Sequence, residues 1–204
     1  MSWIAENSNV LHVLVAVVNA GIWLLYLHLF LRSYRRQQES VILIHRGASE
    51  GDSARCIVSN MGSEPIYVLS VLAELTIDGE ECAADVTDRE ELDFDSLDDP
   101  LRRTTQGPLK SGEYLDIGSF REMVTRNLRR VAPDKTPESV ERIKLTVIAA
   151  SSHANALVGA TREFIRQKGE AGYSVVPTSL VAQQLNKRAD RHRIEAMMRQ
   201  ELAA

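Results

Sequence analysis

The feature that most constrains this chain is an uncharged run from Val10 to Leu31, closed by Arg32, Arg35 and Arg36. The run VLHVLVAVVNAGIWLLYLHLFL holds 22 residues. As a helix rising about 1.5 Å per residue it spans about 33 Å, enough to cross a hydrocarbon core of about 30 Å. Its polar interruptions are His12, Asn19, Tyr26 and His28. A buried helix of a soluble protein is rarely this long without one charge. A cleaved signal peptide needs a basic leading region and a small-residue cleavage site after a shorter apolar stretch. Here MSWIAENSN carries no Lys or Arg, and RSYRRQQ follows as a stop-transfer pattern. The expectation is an uncleaved signal anchor, which makes the lipid bilayer a partner of the chain.

The flanks also orient the helix. Three arginines lie just after it, whereas Glu6 and no base lie before it. The positive-inside rule then predicts an external N-terminus and a cytoplasmic domain over residues 32–204, in a plasma or bacterial inner membrane.

Charge is unevenly spread. The chain is net −4, yet the stretch from Asp78 to Asp99 holds eleven acids and one base, Arg89. That stretch alone is −10, so the remainder is +6. A mildly acidic chain argues against nucleic acid as a partner, because such proteins present a basic surface. The two cysteines, Cys56 and Cys82, match neither a zinc spacing nor a CxxC pair. In a cytoplasmic domain they are expected to stay reduced.

Beyond the anchor the pattern is mainly β. Strands are predicted over Ser40–His45, Ala54–Ser59 and Ile66–Ile77, with the turn Asn60-Met61-Gly62-Ser63-Glu64-Pro65 between the last two. Asp78-Gly79 marks a tight hairpin into Glu80–Val86. Pro108–Ile117 reads as a turn and a strand. Ser119 and Glu122 form a capping box that starts a helix ended by Pro133. Thr136-Pro137-Glu138 predicts a short helical turn, and strands follow over Ile143–Ala150 and Ala156–Ile165. Pro177, Thr178 and Ser179 are read as the cap of a final helix from about Leu180 to Leu202.

The expected organisation is an external N-terminus (1–9), a transmembrane helix (10–31), a basic linker (32–39), a β-sandwich domain (40–176) and a helical tail (177–204). The sandwich carries an acidic loop (78–99) and an inserted helix (119–131). The succession of strand, Asn-x-Gly turn, long apolar strand and hairpin over roughly Val41–Gln167 resembles bacterial immunoglobulin-like domains. That resemblance implies an antiparallel sandwich of two sheets. The cysteine–tryptophan–cysteine signature of such sandwiches is absent, since no tryptophan follows Trp23.

Three constellations stand out as candidate sites. On α-helical spacing His12, Asn19 and Tyr26 recur every seven residues and lie within about 40° of each other. Ala16, Trp23 and Phe30 continue this seam, and Ala20 beside it permits close helix approach. Polar groups in hydrocarbon tend to face protein, so the seam is expected to dock on another transmembrane helix, with Asn19 at its centre. His12 and His28 lie on nearly opposite faces and cannot share one haem. Second, Asp93, Asp95, Asp98 and Asp99 supply hard oxygens. Counted from Asp93, however, the sixth and twelfth places of an EF-hand hold Asp98 and Thr104, so the Ca²⁺ pattern fails. They are expected to be a solvated charge run or an electrostatic docking element. Third, Arg188 and Arg191 lie in the basic tail, which faces solvent, lipid or a partner subunit.

No GxSxG elbow, P-loop, GxGxxG or HExxH occurs. The chain therefore reads as a non-catalytic accessory, scaffold or assembly subunit of a membrane complex, with no cofactor and no metal. The alternatives are a membrane-tethered sensor whose domain binds a ligand or Ca²⁺, and a tethered enzyme. The sequence carries no signal for or against self-association.

Overall fold

With no proline to break it, the opening run forms one helix, α1 (Ser8–Gln37). The computed structural model describes residues 8–37, 40–47, 51–88, 104–151, 156–169 and 172–201. The chain divides into two units, Met1–Glu39 and Ser40–Ala204.

The second unit opens with six strands: β1 (Ile42–Gly47), β2 (Arg55–Asn60), β3 (Ile66–Ile77), β4 (Glu80–Asp85), β5 (Gly107–Leu109) and β6 (Tyr114–Ser119). It continues through α2 (Phe120–Val131), β7 (Val140–Ser151), β8 (Ala156–Gly169), β9 (Gly172–Pro177), β10 (Gln183–Leu185) and α3 (Arg188–Glu201). Among the described residues these strands make two antiparallel sheets. The smaller has the order β1-β2-β6, and the larger has β10-β8-β7-β3-β4, with β5 also on β3 and β9 also on β8. The class is mixed α/β and mainly β.

Local chemistry explains the individual elements. In β3, alternation sends Val71, Ala73, Leu75 and Ile77 inward. Ile143, Leu145, Val147 and Ala149 of β7 do the same, and Ala73 stands opposite Leu145 in the ladder. The β3–β4 hairpin turns at Asp78 and Gly79, with φ of 52° and 83°. Positive φ at both central residues is the type I′ geometry that matches strand twist, and Asp and Gly tolerate it. The Ser119 hydroxyl accepts from the Glu122 amide while the Glu122 carboxylate accepts from the Ser119 amide, so the capping box starts α2 at Phe120.

One buried cluster joins both sheets and α2. Ile42, Ile44 and Val58 of the small sheet meet Val147, Ala160 and Phe164 of the large one, and α2 adds Phe120, Met123, Val124 and Leu128. The Phe120 and Phe164 rings pack edge to face, with centroids 4.8 Å apart. A smaller cluster lies on the other face of the large sheet, where Ile194 of α3 covers Ile148 and Leu185. Gly159 makes that approach feasible. A Cβ there would sit 2.7 Å from the Val147 carbonyl oxygen and 3.3 Å from Ile194 Cδ1.

The structure corrects the reading of the C-terminal segment. Pro177 closes strand β9 instead of capping a helix, β10 follows, and α3 begins at Arg188 rather than near Leu180. Backbone pairing to β8 outweighs the local capping signal: Gln183, Gln184 and Leu185 pair with Thr161, Ala160 and Gly159. The strand predicted over Pro108–Ile117 is likewise two strands, β5 on the large sheet and β6 on the small one.

Candidate functional site

Helix α1 is the first candidate. The stretch His12–Tyr34 is long and apolar enough to cross a membrane, and none of it is buried. His12, Ala16, Asn19, Ala20, Trp23, Tyr26 and Phe30 are all exposed. Helical spacing of three and four residues places Trp23, Tyr26, Leu27 and Phe30 around one shallow surface hollow. Phe30 then stacks on Tyr34, with ring centroids 6.2 Å apart. Leu27 and Tyr34 thus extend the aromatic half of the seam beyond the residues that the heptad spacing picks out. Arg32 is exposed beyond it, and the side chains of Arg35 and Arg36 lie outside the described set.

The second candidate is the acidic segment. Asp93, Asp95, Asp98 and Asp99 lie outside the described residues. The neck from which the segment departs is described, and it is firmly tied. Asp88 bridges Thr104, and the Thr105 amide donates to the Thr87 carbonyl at 2.9 Å. Asp85 accepts from the Ser70 hydroxyl at 2.7 Å and from the Thr87 amide at 2.5 Å. Two arginines of α2 reach the same strand end: buried Arg126 donates to the Val86 carbonyl, and Arg130 to the Asp85 carbonyl at 2.7 Å. These bonds fix the exit and return of the segment on the large sheet.

In the third candidate, Arg191 is half-buried on α3 and its amide donates to the Lys187 carbonyl. The side chain of Arg188 lies outside the described set. The Asp190 carboxylate accepts from the Lys187 amide at 3.0 Å, which places a negative charge at the positive end of α3.

The spacing arguments missed a polar seam along the free edge of β1. The Gln184 side chain accepts from the Ile42 amide at 2.9 Å and donates to the Ile42 carbonyl at 2.8 Å. Asn186 donates to the Ser40 carbonyl, and Arg46 to the Val175 carbonyl. Arg162 donates to three backbone carbonyls, those of Ile44, Ser179 and Leu180, and lies over the Phe164 ring. An unpaired strand edge is a template for association, and these side chains occupy this one. One signal was legible: Arg162 falls on the inward register of Val158, Ala160 and Phe164, where an apolar residue is the norm.

Electrostatics at the seam follow from burial. Desolvation, and secondarily the charge of Arg162, holds the His45 imidazole below its ordinary range. Burial pushes the Cys56 thiol far up, so it is an inert core thiol. Cys56 and Cys82 are both free. Among the described residues no group of three His, Cys, Asp or Glu side chains is arranged to hold a metal ion.

Comparison with protein-family models, curated proteins and solved structures found no match to this chain.

Proposed function

We propose that this protein is a single-pass, membrane-anchored accessory or assembly subunit that works by binding. In this reading α1 is an uncleaved anchor with its N-terminus outside, and the second unit is an immunoglobulin-like sandwich in the cytoplasm. The basic flank at Arg32 supports the orientation. The single core shared by the two antiparallel sheets supports the sandwich.

The observation that carries the reading is the state of α1. Among the described residues its 23-residue apolar stretch is wholly exposed, which supports partners outside the chain. Lipid satisfies the leucines and valines. It does not satisfy Asn19, whose amide lies near the middle of the run and is costly in hydrocarbon without a hydrogen-bond partner. A helix of another membrane protein supplies one, and Ala16 and Ala20 let its backbone come close.

The test is co-purification from the native membrane in mild detergent. The double variant Asn19→Leu, Ala16→Leu keeps the helix apolar and should reach the membrane normally while losing its partner several-fold. Unchanged recovery of the partner would remove helix docking as the mode of action.

A further inference from the structure

Arg162 is a half-buried cation that spends its charge on backbone carbonyls. Its guanidinium holds Ile44 of β1 together with Ser179 and Leu180, the last two at 2.7 and 3.0 Å. Its Nε is buried and has no hydrogen-bond partner among the described residues. No described carboxylate is bonded to it. These bonds join two remote parts of the chain. Strands β9 and β10 pair with the same side of β8, through Phe164–Gly169 and Gly159–Thr161, and residues 178–182 connect them. Thr178 is fastened by its own amide and hydroxyl, which donate to the Glu163 carbonyl at 3.0 and 3.1 Å. Beyond Thr178, Arg162 takes over and ties the connector to β1.

The Ile44 carbonyl in this grip belongs to the peptide that leads into His45. The His45 Nδ1 is itself buried and makes no hydrogen bond among the described residues. A buried, unpaired nitrogen is tolerable while neutral and far more costly once charged. The elements around β1 offer a charged imidazole no relief. From β8 come Arg162 and Arg166, the latter lying over the Tyr173 ring of β9 at 3.9 Å. Glu163, on the opposite face of β8, is bonded to Arg142 at 3.1 Å. From β2 come Arg55 and the Cys56 thiol, which burial keeps neutral. His45 stands opposite Ile57, and Ile57 opposite Asp116 of β6, but Arg55 takes that carboxylate at 2.5 Å. Next along β1, Arg46 is bonded to the Val175 carbonyl, and β10 brings only Gln183, Gln184 and Leu185.

We propose that His45 and Arg162 form an acid-sensitive latch: when the imidazole takes a proton, the guanidinium leaves the Ile44, Ser179 and Leu180 carbonyls, and the 178–182 connector comes free of β1. The open form binds the proton better, because both cations then reach water, so acid selects that form. Desolvation, and secondarily Arg162, lowers the His45 pKa, which is the matching sign: the closed form resists the proton. Opening also bares the Ile44 carbonyl at the edge of β1, where strands associate.

The test puts a nitroxide on the connector of the full chain in mild detergent. Leu180→Cys in a Cys82→Ser background carries the label at a site that is 97% exposed, while Cys56 at 0% escapes it. Paramagnetic resonance spectra are compared at about pH 7.5 and about pH 5, with and without His45→Gln, which is neutral at both. With His45 present, the mobile component should grow several-fold in acid, with a midpoint below 6.5, and shrink again on return. His45→Gln should keep the ordered spectrum throughout, and Arg162→Gln should be mobile at both values. A spectrum that ignores pH while His45 is present overturns the latch, as does a change that persists in His45→Gln. An ordered spectrum for Arg162→Gln overturns it too. So does loss of the β signal in circular dichroism at the lower pH, which means general unfolding in place of a local release.

Discussion

The side-chain amide of Gln184 pairs with both backbone groups of Ile42, accepting from its N–H at 2.9 Å and donating to its C=O at 2.8 Å. One glutamine thus stands where a neighbouring strand would be, and the edge of the small sheet ends on the large one. Gln184 and Ile42 are 142 positions apart. The first strand after the helix is therefore completed by β10, the last strand among the described residues.

Gln184→Ala should open this edge. It leaves the Ile42 amide and carbonyl without their partner, at a cost of about 1–3 kcal/mol. Hydrogen exchange at the Ile42 amide should accelerate while the Leu145 amide, deep in the β3–β7–β8 ladder, keeps its protection relative to global stability. Unchanged exchange at Ile42 would mean that the glutamine does not close the edge.

Gly159→Ala should destabilise the domain although alanine suits a strand better than glycine does. The added methyl carbon would stand 2.7 Å from the Val147 carbonyl oxygen, which is backbone and cannot swing aside. Overpacking of this kind costs about 1–3 kcal/mol. Thermal unfolding followed by circular dichroism should show a lower midpoint. The variant's native state should also loosen α3, because Ile194 Cδ1 is the next atom the methyl meets. A midpoint equal to that of the wild type would contradict the packing described for this face.

Acid should weaken the domain partly through His45. Burial, then Arg162, holds its folded pKa below the unfolded value of 6.5, so the unfolded chain binds the proton more readily. The neutral imidazole's contribution is fully present above the unfolded pKa. It declines as pH falls through that value toward the folded one. His45→Gln should therefore flatten the stability profile as pH falls through and below the unfolded value of 6.5. A profile of unchanged slope would show that other groups carry the acid response.

Much of this fold was legible because its signals are local. Ile66–Ile77 is one strand with the bounds its apolar pattern gives, Asp78-Gly79 turns the hairpin, and Ser119 with Glu122 starts α2. The C-terminal segment was misread because its decisive partners are remote. Pro-Thr-Ser at 177–179 looks like a helix cap, yet Thr178 is bonded to Glu163 and the Ser179 carbonyl to Arg162. The β1 seam stayed hidden for the same reason, since nothing near Gln184 in sequence points to Ile42. The helix itself was legible in the apolar run, and helical geometry places the seven-residue repeats His12, Asn19 and Tyr26 on one face of it. The hollow that joins Trp23, Tyr26 and Phe30 adds Leu27 to it.

The most direct test of the central claim is a photo-crosslink from α1 in the native membrane. A benzophenone amino acid in place of Tyr26 lies on the proposed seam, and one in place of Leu14 lies about 120° from both Tyr26 and Ala20, on the far side of the helix. The account predicts a discrete protein adduct from position 26 and lipid adducts only from position 14. Equal protein adducts from both positions, or lipid adducts alone from both, would contradict it.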